Sequence, residues 1–337
     1  MWLSSKGFKT LLAEPESQSI IFSLVNFLVL IYVLFFLLTW PYTLFALIAH
    51  VAVFTVVIKR LSAGRLYTPK KNLKNQTVVI TGAATGIGRV TVVELAKLEA
   101  LVIVGIRGQE RAEGVAQELS NESHGNVIGH HLDLSDLSSI NAFAKKIDKV
   151  DILINNAGVS KRKKELTRDG LECTFGTNHI GHFYLTQLLL PLLIQSNGRI
   201  INVSSIMHVT VAYSRSKLAN ILYAAELQRR YGDRGIKAYS LHPGFIPATE
   251  ISREKKTFEA IFNILFGVCS KTIEQGAMTT MYCALSDEAQ PGKYHSNCQV
   301  AQPTPVANNS KKAQELWELS ERILNEKNKI SLKFFHR

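Results

Sequence analysis

A doubly wound parallel α/β sheet, carried as a single domain behind a hydrophobic N-terminal segment, is the fold class this sequence predicts. Three observations predict it. A β-branched run, Thr77–Thr81, stops at a glycine-rich turn and gives way to helical periodicity from Arg89. Short apolar runs then recur at 101–106, 126–132, 150–154 and 199–203 with helical stretches between them, the alternation that builds parallel strands joined by right-handed crossovers. The stretch from Ile20 to Ile58, finally, contains no Asp, Glu, Lys or Arg and stands apart from all that follows.

A chain of 337 residues is long enough for one large α/β domain with a buried core. Its formal net charge of +12 would suit a nucleic-acid partner, but no zinc-finger, helix-turn-helix or RNA-binding signature accompanies the charge. A membrane surface explains it better, and no nucleic acid is expected. Cys173, Cys269, Cys283 and Cys298 are scattered without a C-x-x-C pair, which indicates neither a zinc site nor a dense disulfide framework and suits a reducing compartment. No set of His, Cys and acidic residues has metal-ligand spacing, so no metal is expected.

Residues 1–19 form an N-terminal tail and 20–58 a membrane anchor. Pro41, between Trp40 and Tyr42, divides the anchor into Ile20–Trp40 and Tyr42–Ile58. Since about 20 residues cross a hydrocarbon core of roughly 30 Å, either one long kinked span or a helical hairpin is open. The short second half and the aromatic pair beside the proline favour the hairpin. The run is too long for a signal peptide and lacks a small-residue cleavage site. Lys59, Arg60, Arg65, Lys70, Lys71 and Lys74 follow it, whereas Lys6 and Lys9 before it are opposed by Glu14 and Glu16. The positive-inside bias therefore puts the C-terminal domain on the cytosolic side. Residues 59–74 read as a basic linker, 75–327 as the domain, with 311–327 its last helix, and 328–337 as a basic tail.

Within the turn Gly82-Ala83-Ala84-Thr85-Gly86-Ile87-Gly88, Gly82 permits the sharp bend, Gly86 lets backbone amides approach a pyrophosphate, and Gly88 packs helix on strand. The helix N-terminus presents free N–H groups and a positive dipole end. Taken alone, the Gly-x-x-x-Gly-x-Gly spacing is evenly balanced between a nucleotide loop and an ordinary βα turn. Arg107 sits at the tip of the next strand, with Arg111 nearby and Arg89 directly after the loop. An Arg there suits a 2′-phosphate and hence NADP, the competing reading being solvated surface charge. At the end of the third strand, Asp133 can accept from an adenine amino group with Leu134 against the ring, or it can cap a helix beginning near Ser135. Strand 150–154 runs into Asn155-Asn156-Ala157-Gly158, at the strand end where open α/β sheets bind ligands.

A helix over Thr177–Leu193 begins with Asn178-His179-Ile180-Gly181-His182. The strand Arg199–Val203 ends in Ser204-Ser205, and Tyr213 and Lys217 follow, four apart and so on one helical face. A lysine ammonium beside a phenol lowers its pKa from about 10 toward working pH. The tyrosine then exchanges a proton with an alcohol or carbonyl oxygen, held by a serine hydroxyl, while hydride moves to or from a nicotinamide. Alone such a pair is usually structural; after this loop and the Asn-Asn-Ala-Gly turn it reads as catalytic.

The motifs TGAATGIG, NNAG, TNHIGHF, INVSS, YSRSK and HPG, spread from Asn75 to about Leu324, give the chain a resemblance to the short-chain dehydrogenase/reductase family. TRDGLECTFGTNHIGHFYLTQLLLPLL, and EQGAMTTMYCAL with LWELSERI, resemble its retinol-dehydrogenase-like branch, which includes the oxidoreductases carrying WW domains. The resemblance implies a Rossmann-like domain that uses NADP, often membrane-anchored, acting on retinoids, steroids or other lipophilic alcohols and carbonyls. It implies Tyr213 as general acid/base, Lys217 as the residue that lowers its pKa and binds the nicotinamide ribose, Ser205 as the group positioning the substrate oxygen, and Asn178 as support for a proton-relay water. Expected cofactor contacts, beside Tyr213 and Lys217, are Gly82, Thr85, Gly86, Ile87, Gly88, Arg107, Asp133, Leu134, Asn155, Ala157 and Gly158. Pro243 and Gly244 would close around the nicotinamide, with Thr249 after them in a segment, FIPAT, one residue longer than usual. The endoplasmic reticulum or lipid droplets are the expected location, and a homodimer is left open.

One departure from the branch stands out. Only seven residues, 206–212, separate Ser205 from Tyr213, where relatives carry a longer connection. Eight steps span at most ~28 Å, so the ends can be joined. Whether Ser205 still faces Tyr213 decides between an active enzyme and a catalytically silent membrane-anchored scaffold, since a misplacement near 1 Å costs on the order of 10²-fold. The apolar segment 258–268 reads equally as a substrate lid or a core helix.

Overall fold

In the computed structural model, residues 15–37, 43–161, 163, 165–205, 212–246, 267 and 270–328 are described. The expected contact Thr249, most of the segment 258–268, the loop 206–211, Cys269 and the turn at Pro41 lie outside them.

Eight strands make one sheet: β1 (Thr77–Thr81), β2 (Leu101–Ile106), β3 (Asn126–His131), β4 (Ile152–Asn155), β5 (Arg199–Val203), β6 (Lys237–His242), β7 (Tyr294–Ser296) and β8 (Gln299–Val300). Their spatial order is β3-β2-β1-β4-β5-β6-β7-β8, with every neighbouring pair parallel except β7 and β8. After β3 the chain crosses to the far side of β1, so strand order reverses between β1 and β4. Loops diverge at that switch point and leave a crevice at the strand ends.

Helices cover both faces, which is why the central strands β1, β2, β4 and β5 are mostly apolar and buried while the edge strand β3 alternates. Within β1, Val78 and Ile80 point to one layer and Val79 to the other. The first layer holds α3 (Gly86–Lys97), α4 (Gln109–Ser123) and α8 (Ile273–Leu285), through residues such as Val92, Leu119 and Met281. The opposite layer holds α5 (Leu137–Ala144), α6 (Gly181–Gln195), α7 (Ala212–Tyr231) and α9 (Ser310–Asn328). There Trp317 of α9 packs edge-on to Phe183 of α6 at 5.0 Å and lies against Tyr223 of α7 at 5.7 Å. Burying each large apolar side chain in these layers stabilises the fold by roughly 1.5–3 kcal/mol.

Ahead of the domain, α1 (Pro15–Leu37) and α2 (Thr43–Ala63) pack on each other. Ser19, near the start of α1, shares a 2.9 Å hydrogen bond with Ser62, near the end of α2, and Phe22 stacks on Phe54 at 5.7 Å. The helices are therefore antiparallel, a hairpin in geometry. At 1.5 Å per residue each is roughly 30 Å long, matching a bilayer core. Their outward faces expose Leu28, Phe35, Phe45 and Ile48. Lys59 and Arg60 lie inside α2, which runs on to Ala63, so the chain leaves the helix later than composition implied.

Candidate active site

Gly82 (φ +70°) and Gly86 (φ +60°) both adopt the left-handed conformation that a side chain resists. A Cβ on Gly82 would lie 2.7 Å from Ala157 Cα, because the β1 turn is pressed onto the β4 turn. Gly88 is as tightly placed, 2.6 Å from Asn156 Nδ2 on the same measure. Gly86 is the contrast: among the described residues nothing lies within 4 Å of the position its Cβ would take. Thr85, the exposed N-cap of α3, makes no side-chain cap bond. The amides of the first turn thus face an open cradle at a helix N-terminus, a fit for a dinucleotide pyrophosphate. Ile87 is buried against Ile246 and Ala277.

Arg107 and Arg111 are exposed beyond the tip of β2. Arg89, expected with them, is instead drawn back onto α4, with ion pairs to Glu118 at 3.2 Å and Glu122 at 2.6 Å. The N-cap of α5 is Asp136, which accepts from the Ser138 and Ser139 amides, while Asp133 accepts from Ser135 N–H at 2.9 Å and Ser135 Oγ at 2.7 Å. The capping alternative for Asp133 therefore falls to its neighbour. Leu134 is buried in the core, packed where Gly181 allows α6 to approach.

A network at the ends of β1 and β4 fixes the crevice. Thr81 Oγ1 accepts from the Asn156 amide at 3.1 Å and the Ala157 amide at 3.0 Å, which uses both lone pairs. Its proton goes to His182 Nε2 at 2.8 Å, so His182 carries its own proton on Nδ1 and donates it to the Asn178 carbonyl at 3.0 Å. Burial, with the Lys217 charge nearby, pulls His182 down to about 4 and keeps it neutral. Asn155 looks away from the crevice: its Nδ2 donates to Thr186 Oγ1 at 3.1 Å and Asn202 Oδ1 at 2.9 Å, tying β4 to α6 and β5. Asn156 Nδ2 bonds the Thr81 and Gly82 carbonyls and so locks the glycine turn.

Asn178 lies in a π-helical turn, Gly176–Ile180, that precedes α6. Its Oδ1 accepts from the Val159 amide at 2.8 Å, and its Nδ2 donates to the Val159 carbonyl at 2.9 Å and to Ser216 Oγ at 3.0 Å. Single π turns recur at functional sites because they re-aim one side chain without ending the helix.

On α7, Lys217 is 2% exposed and donates to the Val203 carbonyl at 3.0 Å. Its ammonium lies 5.6 Å from the centre of the Tyr213 ring, and a Cβ on Gly158 would sit 3.3 Å from it. Ser204 and Ser205 divide their tasks. Ser204 Oγ donates to the Lys217 carbonyl at 2.6 Å and pins the helix, whereas the Ser205 hydroxyl acts on the acidity of the Tyr213 phenol. Burial pushes the phenol up to about 12, with the Ser205 hydroxyl opposing it, and burial pulls Lys217 down to about 8. The expected lowering of the phenol by Lys217 is not found: burial raises it.

Pro243 and Gly244 (φ +100°) are buried at the end of β6, next to β5, where the Ser204 amide bonds the Leu241 carbonyl at 2.7 Å. Sequence reasoning missed three participants, Thr81, His182 and Ser216. The only signal for His182 was its position four residues after Asn178, one helical turn on.

Residues 76–260 match the family model for short chain dehydrogenases. Mus musculus retinol dehydrogenase 12 is 38% identical over 292 residues, 79% of this chain and 92% of that protein. Homo sapiens retinol dehydrogenase 11 is 40% identical over 288 residues, 78% and 89% of the two chains. Among solved structures, an uncharacterised protein from Mycobacterium paratuberculosis aligns with a TM-score of 0.61 at 35% identity, over 75% of this chain and 94% of the other. A gluconate 5-dehydrogenase from Burkholderia cenocepacia shares the fold, with a TM-score of 0.57 at 23% identity over 66% and 94% of the chains.

Proposed function

The chain belongs to the short-chain dehydrogenase/reductase family, in its retinol-dehydrogenase-like branch, as an oxidoreductase acting on CH–OH groups with a nicotinamide cofactor, and from that premise we propose that it reduces a lipophilic aldehyde or ketone with NADPH at a membrane surface. The observation that carries this reading is the Tyr213–Lys217 pair on α7, with the Lys217 ammonium 5.6 Å from the centre of the Tyr213 ring. A bound nicotinamide supplies hydride to the carbonyl carbon. Tyr213, protonated across the neutral range, donates its proton to the carbonyl oxygen as that oxygen becomes a hydroxyl. Ser205 holds the same oxygen through its hydroxyl. Lys217 stabilises the phenolate left behind, and Asn178 holds Val159 and Ser216 in place around the pair.

NADP is favoured over NAD because Arg107 stands directly after β2, where an NAD site would place a ribose-gripping Asp or Glu, with Arg111 one turn on beside Glu110, a pattern that suits a 2′-phosphate. A retinoid, steroid or other lipid carbonyl is favoured by similarity to the retinol dehydrogenases and by the apolar helices ahead of the domain. Those helices anchor it, at the endoplasmic reticulum or lipid droplets, with the domain in the cytosol.

The test is NADPH consumption by the detergent-solubilised full chain with all-trans-retinal, next to Tyr213→Phe. Turnover that drops by roughly 10²–10⁴-fold in the variant supports the reading. NADPH binding without turnover of any retinoid, steroid or fatty aldehyde overturns it in favour of the silent scaffold.

A further inference from the structure

Residues 64–73, expected as a basic linker, are laid along the domain. The Arg65 carbonyl accepts from Cys298 Sγ at 3.4 Å, and Tyr67 packs edge-on to Tyr282 at 5.6 Å. Lys71 pairs with Asp287 at 2.6 Å, Asn72 donates to Glu99 at 2.8 Å, and buried Leu73 donates its amide to the Leu98 carbonyl at 2.7 Å.

At the first residue of this strap the Asn297 and Lys271 side chains converge on the Gly64 backbone. Gly64 (φ +71°) follows α2 directly, and a Cβ there would run into Asn297 Oδ1 and stop 3.2 Å from Lys271 Nζ. Asn297 (φ +53°) and Cys298 (φ +55°) make the left-handed turn between β7 and β8. Lys271, 4% exposed, donates Nζ–H to Asn297 Oδ1. The lysine stem crosses Gly244, whose added Cβ would lie 2.8 Å from Lys271 Cε, and the Lys271 amide bonds the Phe245 carbonyl at 2.9 Å. A hydrocarbon side chain would pack on Gly244 equally well without the cost of desolvating an ammonium, but it could not hold Asn297.

We propose that Lys271 is a positioning residue: clasped by Asn297 beneath Gly64, it fixes Pro243–Gly244 at the cofactor crevice, so the seating of the anchor on the domain sets cofactor affinity. The proposal rests on the reading that Pro243–Gly244 borders a nicotinamide cofactor. It makes the strap part of the binding unit and not a tether.

The experiment measures NADPH binding by nucleotide fluorescence on the detergent-solubilised full chain, with thermal midpoint and retinal KM recorded alongside. Lys271→Met keeps the stem and removes the donor; Gly64→Ala drives a methyl into Asn297 from the anchor side; Asn297→Asp keeps an acceptor and tolerates the left-handed turn. The expected result is NADPH binding weaker by about tenfold in Lys271→Met and Gly64→Ala, the size expected for losing one charge-assisted hydrogen bond. Asn297→Asp stays within about twofold of wild type, and retinal KM is unchanged throughout. Wild-type NADPH affinity in Gly64→Ala and Lys271→Met overturns the proposal. If Lys271→Met does not fold, Gly64→Ala, outside the sheet and its helices, decides alone. A wild-type chain that binds no NADPH overturns the functional reading, and the proposal with it.

Discussion

Lys217 and Tyr213 oppose each other in their response to pH. Burial brings Lys217 from its ordinary 10.5 to about 8, so between those values the unfolded chain holds a proton the folded chain has released. Stability contributed at this position therefore rises with pH across that window. Tyr213 is raised from 10.0 to about 12, so its contribution is present below pH 10 and lost as pH climbs toward 12. Burial raises the thiols of Cys283 and Cys298 as well, which lowers stability at alkaline pH in wild type and variants alike. The clean observable is a difference: measured by thermal unfolding without cofactor, wild type gains stability relative to Lys217→Met between pH 8 and pH 10. A pH-independent difference would mean that Lys217 keeps its proton when buried. At the same scale the Asn155 side chain faces Thr186 and Asn202 and braces the sheet.

Among the elements, the β1–α3 turn separates folding from binding. Gly82 and Gly88 are held by close packing against Ala157 and Asn156, whereas Gly86 faces open space. Gly86→Ala should therefore destabilise the fold by only about 1–2 kcal/mol, the cost of left-handed backbone for a side chain. Its methyl occupies the cradle, so NADPH affinity should fall at least tenfold, a loss out of proportion to the change in thermal midpoint. Equal affinity in Gly86→Ala and wild type would place the pyrophosphate elsewhere. The π turn Gly176–Ile180 is the other element that matters here. It follows a start capped by Glu172, whose carboxylate accepts the Thr174 and Phe175 amides at 2.9 and 2.7 Å, and it turns Asn178 toward Val159 and Ser216.

For the molecule as a whole, the Ser19–Ser62 bond brings the two ends of the helical hairpin together. With the hairpin in a bilayer, the start of α1 and the whole domain share one side. In intact microsomes, added protease should digest both an N-terminal epitope tag and the domain without detergent. Protection of the tag alone would indicate a single span. The strap from Gly64 to Leu73 runs along the domain through contacts with Cys298, Tyr282, Asp287 and Leu98.

Local chemistry was written in the sequence. The glycine turn, the β/α alternation, the Tyr213–Lys217 helical pair and the uncharged N-terminal run each follow from spacing and residue type, because strand and helix periods, glycine's freedom and the dislike of charge for hydrocarbon are properties of short segments. Tertiary structure decided what depends on groups distant in the chain. It drew Arg89 away to Glu118 and Glu122, and gave His182 its tautomer through Thr81, 101 residues earlier. It also laid the expected linker against the domain, where Lys271 meets Asn297 and Gly244. Desolvation and hydrogen-bond pairing are sums over neighbours in space, so the pKa of Tyr213 and the route of the strap become definite only when the sheet and its helices have assembled.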